Sequence, residues 1–191
     1  MRILLAGATG VLGRRLLPLL LADGHEVLGL SRHSTGASAI QSAGGQARVC
    51  NVYNLELLME IASDYRPEAI IHQLTDLPDD PLLIDDAANA RIRLVGTDNL
   101  LAAAQSVRAT RFLAQSVAWS LPGIGGEAVA NLETRVLGAQ GVVVRYGRLY
   151  GPGTYYPTAV PDSPRIRADS AAARTVDLIG IDSGVFTLTE D

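Results

Sequence analysis

The run Gly7-Ala8-Thr9-Gly10-Val11-Leu12-Gly13 places glycines at a spacing of three directly between an apolar run and an amphipathic stretch. In that setting Gly7 permits a tight turn, and Gly10 lets backbone approach a diphosphate with no Cβ in the way. Gly13 lets the following helix pack closely on the preceding strand. The N–H groups at the helix start, around Val11 and Leu12, then face an anion, with Thr9 on the rim of the turn. The cofactor is chosen further on, at Val27-Leu28-Gly29-Leu30-Ser31-Arg32. An acid at the end of that strand would bind a ribose 2′-hydroxyl, and none is present. Ser31 and Arg32 offer a hydroxyl and a guanidinium, a pair suited to a 2′-phosphate, which favours NADP(H) over NAD(H). Read without a ligand, Arg32 is a solvated loop residue.

Proton chemistry is constrained by composition. All 16 basic residues are arginine, so no lysine ammonium forms a Schiff base, lowers a tyrosine pKa or holds a phosphate. A free tyrosine titrates near ~10 and is a poor base at neutral pH without a nearby cation. Tyr146 and Tyr150 are the candidate acid/base groups, on the ligand side of a late strand, with Arg145 or Arg148 as the possible cation. Ser116, after another strand, is suited to hydrogen-bonding a substrate oxygen, and has no sequence-adjacent base to make it a nucleophile. His72 lies inside a strand and reads as a structural histidine. Asp76, Asp79, Asp80, Asp85 and Asp86 read as a loop and helix start, where negative charge suits the helix dipole, ahead of a catalytic carboxylate pair. The 3 histidines and 1 cysteine have no ligand spacing, so no metal site is expected.

Short apolar runs alternating with longer amphipathic stretches are the pattern of βα units around a parallel sheet. Strands are expected at 2–6, 26–30, 47–50, 68–72, 111–114, 142–145 and 185–188. Helices are expected at 11–22, with Pro18 inside, and at 54–64, 85–106, 127–137 and 168–179, the last capped by Asp169 or Ser170. In the long helix the apolar positions are Ile92, Val95, Leu100 and Ala103. Segments 31–45, with room for one helical turn, 75–81, 116–126 and 147–164 read as loops. The fold class is therefore α/β, a doubly wound parallel sheet of Rossmann type with six to seven strands and its ligand at their carboxyl ends.

These landmarks resemble those of the extended short-chain dehydrogenase/reductase family, the NAD(P)-dependent epimerase/dehydratase group. Beside the glycine turn, they include Ala69-Ile70-Ile71-His72-Gln73-Leu74-Thr75, Gly96-Thr97-Asp98-Asn99-Leu100-Leu101, Arg111-Phe112-Leu113-Ala114-Gln115-Ser116 and Arg145-Tyr146-Gly147-Arg148-Leu149-Tyr150-Gly151-Pro152-Gly153. The resemblance implies that Leu74 and Thr75 join the cofactor site and that Ser116 matches the family's serine or threonine. The family's tyrosine–lysine pair has no counterpart: its positions fall near Gly125 and Val129. Relatives also continue into a smaller substrate-binding part, so a pocket would draw on 147–164, on a partner subunit, or be missing.

The length suits one domain over 1–191. A net charge of −4 argues against a duplex nucleic-acid binder, and no apolar run approaches the ~20 residues that span a bilayer. A cytoplasmic protein with a small-molecule substrate is expected, and a homodimer if apolar surface is left uncovered. Three functions suit this set: an atypical NADP(H)-binding oxidoreductase acting on a small carbonyl or hydroxyl substrate; a non-redox isomerase, cyclase or dehydratase on the same scaffold; and a catalytically silent nucleotide-sensing protein.

Overall fold

A computed structural model describes residues 1–78 and 80–190. Strand β1 (Arg2–Ala6) leads through the glycine turn into helix α1 (Gly13–Ala22), then β2 (Glu26–Ser31), α2 (Ser34–Ser42) and β3 (Gln46–Val49). Helix α3 (Leu55–Tyr65), β4 (Ala69–His72), α4 (Asp86–Arg91), α5 (Thr97–Ser106) and β5 (Arg111–Val117) follow. The chain continues through α6 (Gly123–Gly138), β6 (Val142–Tyr146), β7 (Arg148–Tyr150), β8 (Arg165–Arg167), α7 (Ala168–Val176) and β9 (Gly184–Leu188). The main sheet has 7 strands in the order β3-β2-β1-β4-β5-β6-β9, parallel throughout. The strand order reverses between β1 and β4, where a parallel α/β sheet opens its ligand crevice.

The strands are apolar on both faces because helices cover both. Ile3, Leu5, Ile71, Leu113 and Val144 pack beneath α1, α2 and α7. Leu4, Ala6, Ile70, Phe112, Ala114 and Val143 pack beneath α3, α5 and α6. This period-two alternation decides which cleft residues share a side.

Four expectations are corrected. Segment 31–45 contains α2, because its small residues let the helix lie close: a Cβ on Gly36 would meet the Ser31 hydroxyl and the Thr9 methyl. Segment 147–164 is bounded by a small second sheet in which β7 pairs with β8, a long-range pairing anchored by the fully buried Ile166. Asp169 does not cap α7 but sits in its first turn, paired with Arg15 and Arg167. The expected helix 85–106 is interrupted by a π-helical turn, Ile92–Gly96. That turn rotates the phase, so Val95 is 38% exposed while Arg93 is buried. Pro18 is accommodated within a continuous α1. No helix among the described residues is long and apolar enough to cross a membrane.

Candidate functional site

The glycine turn is held by one internal bond, from the Gly10 N–H to the Gly7 carbonyl at 3.0 Å. Gly7 has φ +85°, and a Cβ there would approach the Gln73 carbonyl to 2.6 Å. A Cβ on Gly13 would strike the Gly7 carbonyl oxygen. At Gly10 a Cβ would have the Gly7 carbonyl, 3.3 Å away, as its only close neighbour, so the glycine there leaves the outer side of the turn open. Thr9 and Gly10 are exposed, and the N–H groups of Val11 and Leu12 meet no backbone carbonyl among the described residues. Two such donors at a helix start, over an uncluttered backbone, are an arrangement that can receive an anion.

Beside it, a crevice opens between the ends of β2, β3 and β4. Its walls bring together Ser31, Arg32, Leu74 and Thr75, with Val52, Tyr53 and Asp76 opposite. The Ser31 hydroxyl is engaged locally, donating to the His33 carbonyl at 3.0 Å and receiving the His33 N–H at 3.2 Å. Arg32 is more than half exposed and reaches Asp76 at 3.3 Å. The Asp76 N–H is in turn bound by the Asn89 side chain, which ties this loop to α4. Above the turn, Arg14 and Arg15 hold the Gly153 and Pro152 carbonyls at 2.8 and 2.5 Å, and the Tyr155 hydroxyl donates to the Pro78 carbonyl. Segment 151–156 is therefore tied both to the start of α1 and to the segment that follows β4.

The three residues expected to do proton chemistry are kept apart. Ser116 is 4% exposed and donates to Glu133 Oε1 at 2.6 Å. Glu133 also accepts from Arg145 through Nε at 2.8 Å and Nη2 at 2.5 Å. Burial alone would raise the Glu133 carboxyl; the hydrogen bonds from Arg145 and Ser116, with the Arg145 charge, outweigh it and hold the pKa below its ordinary value. Ser116 and Arg145 thus face α6, sharing one carboxylate inside a sheet–helix interface. Tyr146 points to the opposite face, where its hydroxyl meets Thr175 at 2.7 Å and receives Gln73 Nε2 at 3.2 Å. Burial pushes its pKa up to about 12. The Tyr150 hydroxyl donates to Glu190 at 2.6 Å, and that bond, with burial, raises its pKa. None of the three presents a free hydroxyl to the cleft.

His72 is fully buried, its Nε2 meeting the Thr97 hydroxyl at 3.0 Å and its Nδ1 receiving the Leu74 N–H. Burial, aided by the charge of Arg93, lowers its pKa to about 3, so the ring is neutral. Trp119 lies under the Arg148 guanidinium, 5.1 Å away. Asp80 and Asp85 cap the helical turns that follow them; Asp79 lies outside the described residues. No group of His, Cys, Asp or Glu among the described residues is arranged to hold a metal.

The family model for the NAD dependent epimerase/dehydratase family matches residues 3–119. The chain is 37% identical over 185 residues to a 3-diazoavenalumate denitrifying reductase from a Streptomyces species, covering 82% of this chain and 59% of that protein. It is 33% identical over 110 residues to a UDP-glucose 4-epimerase of Mycolicibacterium smegmatis, covering 55% of this chain and 35% of that one. The chain thus spans less than two thirds of either curated relative. The Thermus thermophilus UDP-glucose 4-epimerase, solved in complex with NAD, superposes with a TM-score of 0.81 at 18% identity, over 99% of this chain and 78% of its own.

Proposed function

The chain belongs to the NAD dependent epimerase/dehydratase family, and from that premise we propose that it is an NADP(H)-dependent reductase of a small electrophilic substrate whose reduction needs no proton from the enzyme. The Val11 and Leu12 amides, at the start of α1, would receive the diphosphate. Leu74 and Thr75 would wall the adenosine side. The exposed Arg32 would leave the half-buried Asp76 for a 2′-phosphate, an exchange that gives up little because pairs with an exposed partner are weak. When bound, the reduced nicotinamide supplies a hydride; orientation by the protein carries much of such chemistry.

The observation behind this reading is an open glycine cradle in a chain with no phenol–ammonium pair. Hydride addition to a carbonyl produces an alkoxide that must be protonated. Here Ser116 is bound to a carboxylate, Tyr146 is buried at a pKa of about 12, and the Tyr150 hydroxyl is held in a hydrogen bond to Glu190 that raises its pKa. An acceptor that already carries positive charge makes no such demand: an aryl diazonium plus hydride gives the arene plus dinitrogen. The name of the 37% identical relative, a reductase of a diazo carboxylate, favours that class over the carbonyl and hydroxyl compounds suggested by the general family pattern.

The experiment is a fluorescence titration with NADPH and NADH, followed by loss of reduced-nicotinamide absorbance with 4-hydroxybenzenediazonium or a panel of aldehydes and ketones. NADPH is expected to bind more tightly, and the diazonium to be consumed with release of dinitrogen. Failure to bind either dinucleotide overturns the reading. Turnover of ketones as fast as of the diazonium overturns the substrate class.

A further inference from the structure

The π-helical turn Ile92–Gly96 carries an arginine whose surroundings are unlike those of the other buried charges. Arg93 is 7% exposed. A guanidinium taken out of water is ordinarily matched by a carboxylate in a two-pronged contact, and even the part-exposed Arg145 has one in Glu133. Arg93 has no such match: no carboxylate among the described residues pairs with it, and its buried Nη1 has no hydrogen-bond acceptor. Burial lowers its pKa, with no neighbouring negative charge acting against the shift.

Its position is fixed by its neighbours. The charge of Arg93 is felt by the ring of His72, the last residue of β4. That ring gives Arg93 nothing to bind, because Nδ1 already receives the Leu74 N–H and Nε2 is engaged with Thr97. Leu74 and Ile92, on either side of this arrangement, both line the crevice beside the glycine turn. The charge thus lies beside His72, at the carboxyl end of a central strand, and the residue before it, Ile92, lines the crevice. Helical widening of this kind recurs at functional positions, and a buried donor without an acceptor calls for a specific explanation.

We propose that Arg93 is the cation of the cleft and that its missing acceptor is an anionic oxygen brought by the ligand. That oxygen belongs either to the dinucleotide or to a carboxylate on the substrate. The inference rests on the cleft being the ligand site proposed above, and it gives a lysine-free chain a buried positive charge beside that site.

The test compares wild type with Arg93→Met and Arg93→Lys in two readouts. The first is thermal unfolding without ligand. If the charge is held for a ligand, Arg93→Met removes an uncompensated burial and its melting temperature equals or exceeds that of wild type. The second is a binding titration with NADPH, NADH and 4-hydroxycinnamate, the last as a substrate-side carboxylate probe. Arg93→Met is expected to weaken at least one of these by about tenfold or more, with Arg93→Lys retaining part of the affinity. A loss confined to 4-hydroxycinnamate assigns the anion to the substrate; a loss confined to the dinucleotides assigns it to the cofactor. A lower ligand-free melting temperature in Arg93→Met, or unchanged affinity for every probe, overturns the inference. Wild type that ignores both dinucleotides but binds 4-hydroxycinnamate through Arg93 sinks the cofactor reading and leaves this one standing. Wild type that binds none of the probes sinks both.

Discussion

Replacing Glu133 by glutamine separates a structural role for Ser116 from a catalytic one. Glutamine keeps one oxygen to accept from Ser116, but turns an NH₂ group towards Arg145 Nη2, which now contacts a carboxylate oxygen at 2.5 Å. Breaking a deeply buried pair costs about 3–5 kcal/mol. The Glu133 side chain is 11% exposed and that of Arg145 42%, so the arginine recovers water and the expected loss falls to about 2 kcal/mol. The carboxyl titrates below its ordinary value of 4.5 in the folded protein. Its contribution is therefore fully present above that pH and lost as pH falls through the lower folded value. Urea unfolding should show the full gap between wild type and Glu133→Gln at pH 7 and a closing gap in acid below ~4.5. Ser116→Ala, measured alongside, removes one hydrogen bond and should cost about 1 kcal/mol while changing reductase turnover by less than about threefold. The buttress role is refuted if Ser116→Ala keeps its stability but loses about a hundredfold in turnover, the scale of a lost oxyanion donor.

Three further outcomes follow from the same geometry. Arg32→Ala should weaken NADPH by roughly tenfold or more and NADH by less than about threefold in a fluorescence titration, because only the 2′-phosphate needs the guanidinium; equal losses would remove Arg32 from cofactor choice. His72, with a folded pKa of about 3, must stay neutral while the unfolded chain takes up a proton below ~6.5, so wild type should lose about 1.6 kcal/mol between pH 6.5 and 5. A His72→Asn variant should lack that slope, and an imidazole NMR signal that titrates near neutrality would contradict it. Tyr146→Phe should cost about 1–2 kcal/mol in unfolding, from the buried partners Thr175 and Gln73, and leave turnover unchanged.

What the sequence discloses about this molecule is what local chemistry writes. The glycine turn and the β1–α1 unit depend on residues within a few positions of one another, and they stand where the periodicity puts them, while the strand order is set by pairings between distant segments, β1 with β4 among them. Helix α2 was illegible because its serines, glycines and alanines carry little apolar period; its docking depends on Ser31 and Thr9, which meet it only in space. The β7–β8 pair joins residues across a segment rich in proline and glycine, and no local signal announces such pairing. The α4–α5 region misleads more actively. The apolar spacing runs through 92–96 as though one helix continued, and it assigns Val95 to the core. The inserted π turn exchanges the two environments, turning Val95 outward and burying Arg93. Ser116, Glu133 and Arg145 meet across separations of 17 and 12 residues, so a serine at the end of a strand reads as a cleft residue until its acceptor is seen.

The absence of lysine and the burial of Ser116 and Tyr146 bear on one another. In a carbonyl reductase the hydroxyl that polarises the substrate, the phenol that yields the proton and the ammonium that lowers its pKa act as a unit, and loss of one devalues the rest. Here the serine faces α6 and the nearest tyrosine faces α7, on opposite sides of the sheet, and no lysine is present to link them. The glycine cradle is under no such constraint, since backbone amides and a helix start bind a diphosphate whatever side chains lie at the far end of the cleft. Binding and proton transfer are therefore separable in this fold. A hydride acceptor that carries its own positive charge is the class of substrate for which the first suffices without the second. What such an acceptor still requires is orientation, and a buried cation beside the cleft, free to hold a ligand's anionic group, answers that need better than a proton donor would.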